Sequence, residues 1–151
     1  MTPPPEKPHG KVVSRINRLL TLHLQETGNK GTIYLPRTGI SITPNTWLEP
    51  DLSYVSAETE AQNTARYLTT ADLVVEVISP GSAIYDRNTK ADTYAALGVK
   101  ELWLVDEISG LIELRVLRGE EVESNVFAND DILTSTVLPD FQFKVGDVFG
   151  S

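Results

Sequence analysis

The chain contains no cysteine. Disulfides and thiolate–metal centres are therefore excluded, and a reducing cytoplasm is both permitted and the expected location. No apolar run approaches the roughly 18 residues that a membrane-spanning helix requires. The opening MTPPPEKPH carries prolines where a secretory leader would carry an apolar stretch, so export is not indicated. There is no glycine-rich phosphate loop; the ten glycines are scattered at turn-like positions. Ser79 lacks a Gly-x-Ser-x-Gly elbow and a histidine placed to serve it, which removes it as a nucleophile. Only two histidines occur, His9 and His23, and their separation fits no ligand pair. Any metal centre must therefore rely on Asp, Glu and carbonyl oxygen, a donor set that favours Mg²⁺ or Mn²⁺.

What is present is ordinary for one globular domain: 151 residues, 40% hydrophobic and 23% charged, enough to bury a single core. The net charge of −8 argues against strong non-specific binding to nucleic acid. That charge is uneven. Residues 1–40 hold six Lys or Arg against two acids, and the remainder holds seven against 19. Lys11, Arg15 and Arg18 could thus form a local basic face for phosphates, or simply a solvated helix surface.

Residues 1–10 read as an irregular, proline-rich segment, and 11–151 as a single domain. Val12, Ile16, Leu19, Leu20 and Leu24 recur at helical spacing over 11–27, with Gly28 as the stop. Short strand-like runs follow near 32–35 and 51–55, with turn formers at Gly39 and Pro44-Asn45 between them. Residues 58–70 are polar and read as irregular. Residues 72–79 (DLVVEVIS) read as a strand buried on both faces: Leu73, Val75 and Val77 point one way, and Val74, Glu76 and Ile78 the other. A helix over about 83–97, stopped by Gly98, and a strand at 101–106 (ELWLVD) complete a parallel β-α-β unit. A hairpin is expected around Gly119, and apolar anchors in the tail 138–149. The fold class is α/β with a mixed sheet.

Glu76 is the most informative residue, because an unpaired carboxylate in an apolar strand costs several kcal/mol. A basic partner, a cluster of donors, a metal ion or an edge position facing water would each resolve that cost. Asp51 follows Pro50 at the start of a strand-like run, a pair that also begins ordinary turns. Asp86, Lys90 and Tyr94 share one helical face. That face could make a surface Asp86–Lys90 pair with Tyr94 on the sheet, or aim Lys90 at the strand of Glu76.

Read in order, PHGKVVSRINRLL, PDLSYVS and DLVVEVISPGSAIYDRNTKADTYAALGVKELWLVD resemble the Uma-type family of restriction-endonuclease-like proteins, once catalogued as a domain of unknown function. That family is similar to the P-D…(D/E)-x-K nuclease superfamily, with its lysine moved from the strand into the following helix. The resemblance implies a restriction-endonuclease-like fold, a mixed sheet flanked by helices around the parallel unit. It implies Asp51, Glu76 and Lys90 as catalytic residues. Asp51, Glu76 and the Val77 carbonyl would bind Mg²⁺ or Mn²⁺, with Tyr94, His9 and Asp106 as accessory residues. For Asp106 the residues themselves favour a turn or cap, and for Tyr94 a core position serves equally. Ile78 stands where other superfamily members carry lysine. The implied activity is hydrolysis of DNA, with RNA as the other substrate class. Relatives carry an additional N-terminal segment with a Tyr-Glu-like pair, ahead of the point where this chain starts. An alternative of a different class is therefore a non-cutting nuclease fold, a binding or assembly module associated with mobile elements or restriction systems. A homodimer is a further expectation, with Phe127, Val137 and Phe141 as interface or core residues.

Overall fold

The computed structural model describes residues 6–78 and 84–150. The first helix, α1 (Lys7–Thr27), begins four residues before the expected start at 11, so residues 7–10 are helical rather than irregular. Pro8 lies in its first turn, where a missing N–H is harmless because that amide has no helical acceptor. Val12, Ile16, Leu20 and Leu24 form the buried stripe, and Gly28 closes the helix at φ 70°.

Four short strands follow: β1 (Thr32–Tyr34), β2 (Ile40–Thr43), β3 (Thr46–Leu48) and β4 (Leu52–Val55). The Pro44-Asn45 turn is the tip of a β2–β3 hairpin that stands apart from the main sheet. The segment 58–70, expected to be irregular, falls partly in a short helix, α2 (Ala57–Gln62). Ser56 caps it, its Oγ accepting from the Thr59 N–H at 3.1 Å, and Glu58 and Glu60 favour the positive end of the helix. The sequence signal for this helix is confined to the Ser-x-x-Thr cap. β5 (Leu73–Ile78), α3 (Ile84–Ala96) and β6 (Glu101–Asp106) form the parallel β-α-β unit as expected. The hairpin β7 (Leu111–Arg118) and β8 (Glu121–Ala128) turns at Gly119. A small pair, β9 (Ile132–Thr134) and β10 (Gln142–Lys144), precedes α4 (Gly146–Phe149).

The main sheet has the order β1-β4-β5-β6-β7-β8. Only β5 and β6 pair in parallel; every other neighbouring pair is antiparallel. Apolar side chains cover both faces. Leu73, Val75, Val77, Trp103 and Val105 pack on one face against the α1 stripe and the tail residues Leu138, Phe141 and Val148. Val74, Ile78, Leu102 and Leu104 pack on the other face against Ala91 and Tyr94 of α3. This two-sided burial is why the β5 sequence is a continuous apolar run rather than an alternating one. Phe141 is buried in the α1-side core, and the partly buried Phe127 and Val137 pack against it.

One detail of register positions the site. β4 and β5 pair from Tyr54↔Leu73 to Leu52↔Val75 and no further. Continuing that register by one residue sets Asp51 opposite Glu76, and by two sets Pro50 opposite Val77. Pro50 has no N–H to extend the ladder, so the two strands part at this point.

Candidate active site

The acidic residues singled out from sequence meet where β4 and β5 part. Glu76 is 8% exposed, on the sheet face covered by α3. The Tyr94 hydroxyl donates to its Oε1 at 2.6 Å, and Lys90 Nζ lies 3.6 Å from its Oε2. Burial pushes the Glu76 carboxyl above the usual carboxylate range; Lys90 and Tyr94 oppose that shift, and the charge of Asp51 adds to it. Tyr94 is itself held far above the ordinary phenol value by burial and by the Glu76 charge, so it remains a hydrogen donor. Lys90 and Tyr94 are one helical turn apart on α3, which lets both reach the same carboxylate.

Asp51 is held from two sides. Its Oδ2 accepts from the Val77 main-chain N–H at 2.7 Å, and its Oδ1 lies 3.5 Å from His9 Nε2. His9 is buried in the first turns of α1, so the early start of that helix is what brings it to the site. His23 lies fourteen positions further along the same helix, roughly 21 Å away at about 1.5 Å per residue, and contacts the Pro139 carbonyl at 3.1 Å.

Asp106 lies beside the site, paired in register with Ile78, two residues beyond Glu76. Its Oδ1 accepts from the N–H groups of Ile108 and Ser109 at 3.0 and 3.1 Å, forming the turn after β6. Its Oδ2 is 3.6 Å from Arg87. The sequence reading did not select Arg87. The available signal was its spacing: Arg87, Lys90 and Tyr94 lie at i, i+3 and i+7 on α3. Ile78 is buried in the α3-side core. Ser79 and the side chain of Asp86 lie outside the described residues. On α1, Arg15 donates to the Val148 carbonyl at 3.4 Å, which leaves Lys11 and Arg18 exposed on the basic face.

Among the described residues no group of three or more His, Asp or Glu side chains is arranged to hold an ion. The acidic core of the site is a pair, Asp51 and Glu76. No helix among the described residues is long and apolar enough to cross a membrane.

No curated protein matches the chain. Among solved structures, the chain is similar to one described as "a putative nuclease belonging to DUF820" from Anabaena variabilis. The TM-score is 0.77 at 15% identity, over 99% of this chain and 84% of that one. At that identity the likeness establishes the fold. The model of the Uma2 family, described as "Putative restriction endonuclease", matches residues 1–146. A match over nearly the whole length means that the protein belongs to the Uma2 family.

Proposed function

We propose that the chain is a metal-dependent endonuclease that hydrolyses phosphodiester bonds of DNA. The observation that carries this reading is the convergence of Asp51, Glu76 and Lys90, which come from three separate segments of the chain. A buried carboxylate beside a second carboxylate is unfavourable unless a cation offsets it. One half-exposed lysine at 3.6 Å offsets it only in part.

The donor chemistry fits Mg²⁺ or Mn²⁺, which take oxygen ligands. Asp51 and Glu76 would hold the ion. The Val77 carbonyl is a further donor, because a strand residue's N–H and C=O leave the chain on the same side and the Val77 N–H faces Asp51. The residue opposite Val77 in the register is Pro50, which has no N–H to offer that carbonyl. When bound, the ion supplies an acidified water and neutralises charge on the phosphate.

The chain's own residues do the rest. The Val77 amide and His9 fix the Asp51 carboxylate in orientation. Tyr94 donates to one oxygen of Glu76 and leaves the other toward Lys90. Lys90, 41% exposed at its side chain, orients the attacking water or stabilises the pentavalent phosphate electrostatically. In the alternative reading, a non-cutting module, Lys90 serves only as the structural counter-ion of the buried Glu76.

The test is calorimetric titration of Mn²⁺ and Mg²⁺ into the protein and into Glu76→Gln, with plasmid cleavage in the same buffers. Ion binding and cleavage, both lost in Glu76→Gln, are expected. Ion binding without cleavage of DNA or RNA would favour the non-cutting module. No ion binding would remove the metal mechanism.

A further inference from the structure

Trp47 and Tyr67 are the two exposed aromatic residues among those described, at 57% and 67% exposure, and they line one groove. The groove has a volume of about 320 Å³ and runs between the β2–β3 hairpin and the segment after α2. It is continuous, through Arg37, Gly39 and Tyr67, with a second depression of about 410 Å³ that includes Arg66. Nothing in the core explains why two large rings face water here. Trp47 lies against the backbone of Gly39, where a Cβ would come within 3.1 Å of the indole, so the ring is seated while more than half of the residue stays open.

The arginines add a second and independent observation. Leu35-Pro36-Arg37-Thr38 is a turn closed by the Thr38 N–H on the Leu35 carbonyl at 3.3 Å, with Arg37 at φ 74°. Proline in the second position and positive φ in the third describe a type II turn, which prefers glycine at the third. A side chain there is strained. Arginine in a glycine position makes sense where the guanidinium has work to do. Arg66 places its guanidinium 5.8 Å from the Tyr67 ring centroid. Among the described residues, neither Arg37 nor Arg66 forms an ion pair with an acid. The two nearby carboxylates have other partners: Glu49 accepts from Trp47 Nε1 at 3.4 Å, and Glu60 accepts from the Tyr34 hydroxyl. That bond to Glu60, with burial, holds the Tyr34 phenol up at about 12.

We propose that this groove binds unpaired nucleobases of a nucleic-acid strand, with Trp47 and Tyr67 stacking on the bases and Arg37 and Arg66 meeting the phosphates. The identity of the occupant rests on the nuclease reading above. Two exposed rings flanked by unpaired arginines are the chemistry of single-strand recognition, since every base has a π-face and every linkage a charge. A protein of net charge −8 gains little from long-range attraction to phosphates, whereas stacking is indifferent to net charge. The groove also adjoins the candidate active site. Trp47 and Asp51 are four positions apart, so their Cα atoms are at most about 14 Å apart, at roughly 3.5 Å per residue. That is a span of a few nucleotides. The subsite would therefore select a strand that is single, frayed or unpaired next to the cut.

The molecule carries its own probe. Trp103 is fully buried, so quenching by an added oligonucleotide reports Trp47. The experiment titrates the intact protein, in buffer with chelator, with a short single-stranded oligonucleotide and with its duplex. It follows tryptophan emission and, for the variants, the anisotropy of a labelled strand. The single strand is expected to quench emission and to bind at least tenfold more tightly than the duplex. Trp47→Ala should weaken binding about tenfold. Arg37→Gly, which relieves the strained turn, should keep or raise the melting temperature while weakening binding several-fold and lowering the salt slope by about one contact. Unchanged emission, a duplex bound as tightly as the single strand, or variants that bind like the parent would overturn the proposal. The two readings fail separately: cleavage without quenching removes the subsite and leaves the nuclease, while quenching without cleavage at any metal ion removes the nuclease and leaves the subsite.

Discussion

The parallel strands β5 and β6 carry buried acids at both ends, and the two ends handle them differently. At the start of β6, Glu101 is completely buried and accepts four hydrogen bonds. These come from Trp103 Nε1 at 2.8 Å, Ser135 Oγ at 2.7 Å, and the Thr136 N–H and hydroxyl at 2.8 and 2.7 Å. Asp72, just before β5, accepts from the Ser56 N–H at 2.7 Å, from the Thr59 hydroxyl at 3.0 Å and from Lys100 at 3.0 Å. Burial disfavours its charge, but those three donors together hold its carboxyl below the usual range. At the other end, Glu76 has one close donor, Tyr94, and a lysine at 3.6 Å, and its carboxyl is pushed up by burial. Depth of burial therefore does not separate a structural acid from a functional one. What sets Glu76 apart from Glu101 and Asp72 is donor saturation, and under the proposed function it is the under-satisfied carboxylate that attracts a cation.

The largest effect is expected at Glu101. Glu101→Ala strands the Trp103 N–H and the Thr136 N–H in the interior and should cost about 3 kcal/mol of stability or more, read by urea unfolding. A loss under 1 kcal/mol would mean that water replaces the carboxylate and that saturation is a poor criterion. Lys90→Ala should leave Mn²⁺ affinity within a few-fold while lowering kcat of cleavage by about 100-fold, close to 2.7 kcal/mol. An unchanged rate would strip Lys90 of its role.

Glu76→Gln should do the opposite of Glu101→Ala in metal-free buffer. A carboxyl whose folded pKa is raised binds its proton more tightly in the folded state. Its contribution to stability is then fully present below the unfolded value, near 4.5, and is lost as pH rises through the folded value. Glu76→Gln removes that loss, so at pH 8 the variant should match or exceed the parent by about 1 kcal/mol. The advantage should shrink toward pH 4.5, as differential unfolding at the two pH values would reveal. A large loss of stability at pH 8 would instead make Glu76 a structural partner of Lys90. Asp72 carries the opposite sign: its lowered pKa stabilises the fold above the unfolded value, and that support disappears as pH falls through the folded value.

Much of the site could be read from the chain because its signals are local. The apolar run around Glu76, the Pro50-Asp51 step and the α3 spacing of Lys90 and Tyr94 each follow from strand or helix periodicity. The structure departs from the sequence pattern where a short-range rule has an exception. Proline does not exclude helix at residues 7–10, because the first helical turn tolerates it. That early start of α1 is what carries His9 to the site. The polar stretch after Ser56 forms α2, whose single capping bond and short length leave little periodicity in the sequence.

Sequence alone determined the α/β class, the parallel β-α-β unit and the acidic residue that apolar neighbours could not accommodate. These depend on side-chain alternation and helical spacing, which the order of residues encodes directly. Only the tertiary structure decided which buried acids were already satisfied. Glu101 draws its partners from the segment near Ser135, and Asp51 draws its own from β5 and α1, contacts distant in sequence. Hydrogen-bond saturation is a property of three-dimensional neighbours, and no pattern along the chain carries it.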